Sequence, residues 1–363
     1  MLAMTSYERV KNSLECKSVD QLPFVDAIWP ETFTRWIEQG HVPENQSILE
    51  HFSFDICRLG GLNCQANLDK EEEILEENDE SIIIKDRNGA TLKKMKSRSG
   101  TPEHIDFSVK NREDWEEKIK PHLVQFDRRR IPFKTYRSAR TQAKEKQIFL
   151  TFGGLLPFEQ MHPVCGHEYL LMGMALDPEW VNDMVKTYVE LTINHCEVLF
   201  YEEGLPDAVW MSEDLGFKGK PFMSPEMYEA ILLPGHKRLF DFFHSKGLKV
   251  IVHSCGFVEP LVPGLIKAGM DCLQAMEAKA GMDMPRLFKQ FGDKISFCGN
   301  IDAMVLLSND KEKIAEEVKK KVLPIIQNGG GYILHSDHSI PPQVNYETFN
   351  DFAEWKKNIM NYK

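Results

Sequence analysis

The stretch SPEMYEAILLPGHKRLFDFFHSKGLKVIVHSCG, from Ser224 to Gly256, carries the repeating unit of the predicted fold. Ser224 followed by Pro225 is typical of the start of a helix, and Gly247 is typical of a helix end. The run KVIVHSCG that follows has the β-branched residues of a buried strand. A helix that leads directly into such a strand indicates one α/β repeat.

Seven further apolar runs of this kind occur along the chain. They are PFVDAIW (Pro23–Trp29), FDICRLGG (Phe54–Gly61), IFLTFGG (Ile148–Gly154), AVWMSEDLG (Ala208–Gly216), DCLQAMEA (Asp271–Ala278), KISFCGNID (Lys294–Asp302) and GYILHSDHS (Gly331–Ser339). Segments with helical length and periodicity separate most of these runs. Eight strands that alternate with helices predict a (β/α)8 TIM barrel of class α/β, because helical crossovers join parallel strands.

The region 63–122 interrupts this alternation. Within it, IIIKDRNGATLKKM has the pair Asn88-Gly89 between two strand-like runs, which is a strong hairpin signal. We therefore expect an antiparallel hairpin insertion after the second barrel strand, although a small appended subdomain would give the same pattern. Residues 1–363 are otherwise predicted to form one barrel domain.

The composition argues against several classes of function. The chain of 363 residues has a net charge of −11, whereas nucleic-acid binding requires a basic face. No apolar run reaches the roughly 18 residues of a membrane helix, and the charged N-terminus lacks the apolar centre of a signal peptide. The eight scattered cysteines are typical of free thiols in a reducing compartment, so we expect a cytoplasmic protein without a membrane or nucleic-acid partner.

Metal-binding and acid–base residue types gather where the predicted strands end, which is where barrel enzymes carry their active sites. The fourth strand ends in Glu213 and Asp214, and the fifth ends in His253 and Cys255. The sixth strand carries Gln274 and Glu277, and the seventh ends in Cys298, Asn300 and Asp302. The eighth strand ends in His335, Asp337 and His338. A solvated rim would also be polar, but it would be richer in Lys and Ser. The pattern therefore predicts one shared site.

His253 and Cys255 are the strongest candidates for metal ligands within that site. Residues i and i+2 of a strand point to the same side, and imidazole with thiolate favours zinc. The alternative is a buried cysteine beside a hydrogen-bonded core histidine. By residue type, His338 is the best third ligand, and its competitor His335 faces the other way in a regular strand. Glu213 is a candidate oxygen ligand or base, and its alternative is a salt bridge or a helix N-terminal cap.

The order of these motifs resembles the uroporphyrinogen decarboxylase superfamily. Four motifs occur in this chain in the order that the family shows. They are an acidic residue followed by Asp-Leu-Gly, then His-x-Cys-Gly, then Gly-Asn-Ile-Asp, and finally Gly-Gly-Gly-Tyr-Ile-Leu. The resemblance implies a (β/α)8 barrel, in agreement with the alternation of elements. True uroporphyrinogen decarboxylases carry an arginine-rich motif after the first strand, whereas this chain reads DAIWPETFTRW. We therefore do not expect decarboxylation of uroporphyrinogen itself.

The second branch of that superfamily, the methylcobalamin-dependent methyltransferases such as the methylcobalamin:coenzyme M enzymes, is more similar to this chain. Its members bind zinc through His-x-Cys and a distant Cys. The resemblance implies His253 and Cys255 as the first two zinc ligands. The place of the distant Cys falls on His338, in SDHSIPP, which makes the site poorer in thiolate.

The expected function is therefore a zinc-dependent methyltransferase. It would move a methyl group between a corrinoid (methylcobalamin), carried by a partner corrinoid protein, and a thiol or another small nucleophile. The predicted site consists of the catalytic Glu213 and Asp214, the metal ligands His253, Cys255 and His338, and the pocket residues Gln274, Glu277, Asn300, Asp302 and His335. A homodimer is expected from the family.

Two other classes of function fit the same residues. One is a metal-free lyase or decarboxylase for a smaller carboxylated substrate, with Glu213, Asp214 and His338 as acid–base groups. The other is a binder of a corrinoid or tetrapyrrole that has no catalytic activity. The lyase lacks a role for zinc, so activity unchanged by chelators and by Cys255→Ser would favour it. Tight binding of a coloured ligand without turnover would mark the binder.

Overall fold

The strands of the computed structural model, which describes residues 3–97 and 102–362, fall into one parallel sheet and two antiparallel sheets. They are β1 (Ile56–Leu59), β2 (Glu73–Glu77), β3 (Ser81–Lys85), β4 (Ala90–Met95), β5 (Glu103–Phe107), β6 (Phe149–Leu155), β7 (Ala208–Ser212), β8 (Gly216–Phe217), β9 (Lys220–Pro221), β10 (Lys249–Ser254), β11 (Cys272–Ala275), β12 (Ser296–Gly299) and β13 (Tyr332–Ile333). The parallel sheet has the order β1-β6-β7-β10-β11-β12-β13.

The first predicted strand closes this sheet into a barrel. Phe24 forms a parallel bridge with Leu334, beyond β13, while its carbonyl oxygen accepts from the backbone N–H of Asp55, just before β1. A second parallel bridge joins Ile28 to Ile340. The eight predicted strands therefore all take part, and the predicted (β/α)8 barrel is confirmed.

Helices separate the barrel strands, as the sequence predicted. They are α1 (Ser6–Leu14), α2 (Pro30–Glu38), α3 (Ile48–His51), α4 (Arg112–Lys118), α5 (Lys120–Leu123), α6 (Phe133–Lys146), α7 (Pro157–Leu176), α8 (Pro178–Glu203), α9 (Pro225–Ile231), α10 (Leu233–Ser245), α11 (Val262–Ala268), α12 (Met284–Phe291), α13 (Ala303–Leu307), α14 (Lys311–Gln327) and α15 (Tyr346–Asn358). Short 3-10 turns lie at Arg128–Arg130, Glu259–Leu261, Ala278–Ala280 and Ile359–Tyr362.

Local sequence explains where several of these helices begin and end. The side chain of Ser224 accepts from the backbone N–H of Met227, which caps α9. Asp177 caps α8 in the same way. After α10, Gly247 adopts φ +78°, a left-handed conformation that glycine takes without a steric penalty. The chain thereby turns directly into β10, which carries His253.

The predicted insertion after the second barrel strand is confirmed and is larger than one hairpin. β2, β3, β4 and β5 form a four-stranded antiparallel sheet between β1 and α4. Asn88 and Gly89 form the turn between β3 and β4, and Gly89 has φ +80°. A small cluster of Ile84, Ala90 and Leu92 covers one face of this sheet.

The main hydrophobic core lies between the barrel strands and the surrounding helices. Phe24, for example, contacts the ring of Phe54 at a centroid distance of 5.1 Å and the ring of Phe352 on α15 at 5.8 Å. Among the helices of the described ranges, none is long and apolar enough to cross a membrane.

Candidate metal centre

A half-buried group of three metal-ligand side chains lies just after β7 and at the end of β10. The ligand atoms of Asp214, His253 and Cys255 all lie within 4.8 Å of one another. Nε2 of His253 is 3.3 Å from Sγ of Cys255 and 3.4 Å from Oδ1 of Asp214. Within the described part of the chain, no other set of three such side chains meets this distance. The structure thus brings His253 and Cys255 together and adds Asp214 to them.

The parallel register puts His253 beside a hydrogen-bond acceptor. His253 is the Cα partner of Ser212 in β7 and of Gln274 in β11. Its Nδ1 lies 2.5 Å from Oε1 of Gln274. Because an amide oxygen only accepts, Nδ1 is the donor, and the lone pair on Nε2 is then available to a metal.

Two glycines bring the loops after β7 and β10 into contact. Gly256 has φ +76°, and a Cβ at this position would lie 2.3 Å from the carbonyl carbon of Gly216. Beside this contact, the backbone N–H of Cys255 donates to Oδ1 of Asp214 at 2.8 Å. Only glycine permits so close an approach of two backbones. The approach holds Asp214 and Cys255 side by side.

Negative charge accumulates around the thiol. Burial raises the pKa of Cys255, and the carboxylates of Asp214 and Glu277 raise it further. Oε2 of Glu277 lies close by, where it accepts from the backbone N–H of Gly256 at 2.9 Å. A divalent cation at the group would compensate these carboxylates and favour the thiolate.

Glu213 and Asp214, the two residues that follow β7, face opposite sides of the chain. Glu213 is fully buried, and its carboxylate accepts from the backbone N–H groups of Phe158 and Glu159 at the start of α7. Nε2 of His236 donates to the same carboxylate at 2.7 Å. These contacts correspond to the helix cap and the salt bridge that were the alternative interpretation of Glu213 in the sequence. Glu213 as a fourth ligand or base stays a prediction.

The two histidines that follow β13 lie in different environments. His338 is exposed, and it is not part of the described group of three ligands. Its role as third ligand stays a prediction. His335 is 2% exposed, its Nδ1 lies 2.5 Å from the carbonyl oxygen of Ser336, and burial lowers its pKa to about 3. His335 is therefore neutral, with Nε2 unprotonated.

Three further predicted pocket residues hold loops at the same end of the barrel. Glu277 fixes the backbone of Gly256, as described above. The amide of Asn300 donates to the carbonyl oxygens of Met276 at 2.5 Å and Met282 at 3.1 Å. Asp302 caps α13 by accepting from the backbone N–H of Met304. Contact of these residues with a substrate stays a prediction.

The comparisons with known proteins agree with this architecture. The family model described as "Uroporphyrinogen decarboxylase (URO-D)" matches residues 89–359. The chain belongs to this family. No curated protein matches the sequence closely enough to count as a relative.

Among solved structures, the URO-D barrel is similar to a methyltransferase from Methanosarcina mazei. The two share 17% sequence identity at a TM-score of 0.68, over 98% of this chain and 99% of that chain. A class V chitinase from Pseudomonas fluorescens Pf-5 aligns at a TM-score of 0.41 and 10% identity, over 93% of this chain and 99% of that chain. The first likeness shows the shared fold, and the second is too weak to support any argument.

Two charged residues inside the URO-D barrel, Arg58 and Asp26, were missed in the sequence. Arg58 on β1 packs its guanidinium over the ring of Trp210 on β7, at 4.1 Å from the centroid. Asp26, in the first strand, accepts from Oγ of Ser336 at 2.6 Å, and burial raises its pKa to about 7. A charged residue inside the apolar runs PFVDAIW and FDICRLGG was the available signal. Both runs were interpreted as strand bodies, so their polar residues were passed over.

A cavity of about 390 Å³ opens beside the metal group. Its lining includes Cys255, Glu277, Phe217, Lys218 and Lys279. Phe217 is 58% exposed on the short hairpin formed by β8 and β9. Cys255 therefore borders a space large enough for a small molecule.

Proposed function

We propose that this URO-D family member is a zinc-dependent methyltransferase, which moves a methyl group between a corrinoid and a thiol or another small nucleophile. The observation that carries the proposal is the group of Asp214, His253 and Cys255 beside an open cavity. The corrinoid would be methylcobalamin, presented by a partner protein in the cytoplasm. Zinc and the partner are both part of the proposal.

The spacing of the three side chains fits zinc. Ligands that bind zinc tetrahedrally at 2.0–2.3 Å are themselves separated by about 3.3–3.7 Å. The distances from Nε2 of His253 to Sγ of Cys255 and to Oδ1 of Asp214 are 3.3 and 3.4 Å. Nitrogen, sulfur and oxygen donors are those that zinc takes in proteins. Three protein ligands with an open fourth position are typical of a catalytic zinc site rather than a structural one.

Zinc, when bound, would lower the pKa of an acceptor thiol and favour the nucleophilic thiolate. The residues of the chain would bind the metal and hold it in position. Gln274 would orient His253 toward the metal, and Asp214 and Cys255 would fix the metal at the cavity wall. Glu277 would hold the loop of Gly256 against the site. His338, in the loop after β13, is exposed at the sequence position that the resemblance gives to a ligand, and it would serve as a ligand if that loop closes.

The experiment combines metal analysis with an activity assay. We expect the purified protein, after expression with added zinc, to hold close to one zinc per chain, and Cys255→Ala to lose most of it. Cys57→Ala is the matched control, because Cys57 is also half-buried and has no ligand partner in the described group. The wild type should demethylate methylcobalamin with 2-mercaptoethanol as the acceptor. The change in the absorption spectrum of cobalamin measures this reaction.

Metal content and activity can each contradict the proposal. Less than about 0.2 zinc per chain, with Cys255→Ala as stable as the wild type, would rule out the zinc site, because a bound metal contributes to stability. Turnover of a carboxylated substrate that survives chelators and Cys255→Ser would instead support the lyase alternative. A tightly bound coloured ligand with no turnover would support the binder.

A further inference from the structure

A second cavity, of about 510 Å³, opens at the end of the barrel opposite to the metal group. Its lining comes from the start of α1, from the end of α6, and from the segments that lead into β6 and β7. The metal group instead lies where β7 and β10 end, and the two ends of parallel strands form opposite faces of a barrel. The cavity is large enough for a small molecule, and all of its lining residues lie outside the predicted site.

Arg140 on α6 supplies a cation to this lining. Its Nε donates to the carbonyl oxygen of Leu205 at 3.2 Å. Gly204 leaves room for the guanidinium, because a Cβ at that position would lie 2.6 Å from Nη2. In the ranges 3–97 and 102–362, Arg140 forms no ion pair and no hydrogen bond other than the one to Leu205. Its terminal N–H groups are therefore left to bind an anion.

Asp207 supplies an anion to the same lining. Its Oδ2 accepts from the backbone N–H of Leu150 at 2.7 Å, whereas Oδ1 has no hydrogen-bond partner in the described part of the chain. Burial raises the pKa of Asp207, and the charge of Arg140 lowers it by less. The two side chains therefore influence each other without forming an ion pair, which requires 4.0 Å or less between nitrogen and oxygen. A cation and an anion thus border one cavity without neutralising each other.

The remaining charges of the lining balance. The carboxylate of Glu8 accepts from the backbone N–H and the hydroxyl of Thr5 in the cap of α1, so it is already engaged. Lys144 is exposed on α6, one turn after Arg140. With these two residues, the lining carries two positive and two negative side chains. A ligand without net charge therefore suits the cavity better than a simple anion or cation.

Apolar side chains form the rest of the wall. They are Ala143, Ile148, Leu150, Leu205 and the ring of Tyr7. The ring of Tyr7 is 39% exposed and packs against the ring of Phe149 at a centroid distance of 5.8 Å. A ligand that covers this apolar surface gains free energy by removing it from water. The cavity thus combines a group that binds anions, a group that binds cations and an apolar wall.

We propose that this cavity binds an α-amino acid with an apolar side chain, whose carboxylate contacts Arg140 and whose ammonium group contacts Asp207. Both charged groups of such a molecule are attached to one carbon atom, so it can bridge two side chains that are near each other but not in contact. A charge-assisted hydrogen bond would form at each end. The proposal does not rest on the proposed function, because the metal group lies at the other end of the barrel.

Calorimetric titration of the full chain with L-leucine tests this site. Two matched probes are 4-methylpentanoate, which lacks the ammonium group, and 3-methylbutylamine, which lacks the carboxylate. We expect the wild type to bind L-leucine at least about tenfold more tightly than either probe, because each probe loses one charge-assisted hydrogen bond. Removal of zinc with a chelator should leave the affinity for L-leucine unchanged.

Two variants assign the charged groups. Asp207→Asn should bring the affinities for L-leucine and 4-methylpentanoate to within about threefold, and it should keep the preference over 3-methylbutylamine. Arg140→Gln should remove the preference over 3-methylbutylamine and keep the other one. Lys134→Gln is the control, because Lys134 is exposed on the same helix and lies outside the lining.

Several outcomes would overturn the inference. They are no binding of L-leucine up to about 10 mM, equal affinity of the wild type for all three molecules, and an equal loss for all three in both variants. An equal loss would mark a structural role for Arg140 and Asp207. If Arg140→Gln does not fold by circular dichroism, Arg140→Lys replaces it. That variant keeps the charge but loses the planar two-point contact, so it should reduce the preference over 3-methylbutylamine by at least about threefold.

Discussion

His253 lies between its neighbours with both ring nitrogens engaged: Nδ1 is 2.5 Å from Oε1 of Gln274, and Nε2 is 3.3 Å from Sγ of Cys255. Gln274 is on the adjacent strand β11 and is 2% exposed, so water cannot easily replace it. An acceptor on the far nitrogen fixes the orientation and the tautomer of a ligating imidazole. The role of Gln274 is therefore to keep Nε2 directed at the metal position.

Replacement of Gln274 by Ala should weaken zinc binding by about 10–100-fold, the usual effect of removing such a partner. The measurement is competition for zinc with a coloured chelator. Gln290→Ala is the control, because Gln290 is exposed on α12 and its amide contacts only Glu259 among the described side chains. An affinity in Gln274→Ala equal to that of the control would mean that His253 does not depend on this contact.

The third protein ligand can be identified by a paired comparison of Asp214→Ala and His338→Ala. Oδ1 of Asp214 is 3.4 Å from Nε2 of His253, whereas His338 is exposed and outside the group of three. We expect Asp214→Ala to cause the larger loss of zinc affinity. X-ray absorption at the zinc edge counts the ligand types directly. A loss confined to His338→Ala, with a second imidazole in the spectrum, would restore the ligand set that the family resemblance implies.

Gly256→Ala should disrupt the site through the backbone. Its φ of +76° disfavours a side chain, and the added Cβ would meet the backbone of Gly216 at 2.3 Å. Gly219→Ala is a matched control, because Gly219 has φ +75° but nothing within 4 Å of its added Cβ. We expect Gly256→Ala to lower the free energy of unfolding by at least about 2 kcal/mol more than the control.

The same pair of variants also tests the geometry of the metal group. If the contact of Gly216 with Gly256 positions Asp214 and Cys255, then Gly256→Ala should bind less zinc even at temperatures where it is folded. Gly219→Ala should keep the zinc content of the wild type. Equal stability and equal zinc content in the two variants would show that the loops tolerate the side chain.

The sequence predicted the barrel because its signals are local. Capping residues such as Ser224 and Asp177 lie where helices begin. The turn at Asn88-Gly89 lies where the hairpin reverses direction. The pair of His253 and Cys255 could be found because the alternation of side chains in a strand depends on sequence spacing alone.

The remaining parts of the site depend on contacts between distant strands. Nothing in the sequence distinguishes which of Glu213 and Asp214 turns toward His253, because this depends on where the chain leaves β7. The pairing of Arg58 with Trp210 joins residues 152 positions apart and follows from barrel closure. Asp26 likewise meets Ser336 only because the first strand lies beside the last one. Such long-range contacts have no local pattern.

Asp26 should make stability depend on pH in a defined direction. Burial raises its pKa from the usual 3.8 to about 7 in the folded protein, so the folded state holds a proton that the unfolded chain has released. The stabilising contribution is therefore complete below about pH 4 and is lost as the pH rises through about 7. In this window the free energy of unfolding falls by up to about 1.4 kcal/mol per pH unit because of this one group.

Asp26→Asn removes the titration while keeping the size of the side chain. Urea unfolding of both proteins between pH 5 and pH 8 gives the difference in free energy of unfolding at each pH. We expect the wild type to lose roughly 2–3 kcal/mol relative to Asp26→Asn across this range, because Asp26 becomes a buried carboxylate with only hydroxyl and N–H partners. A constant difference across the range would mean that Asp26 is ionised throughout, and that the charge of Arg58 stabilises it more than burial disfavours it.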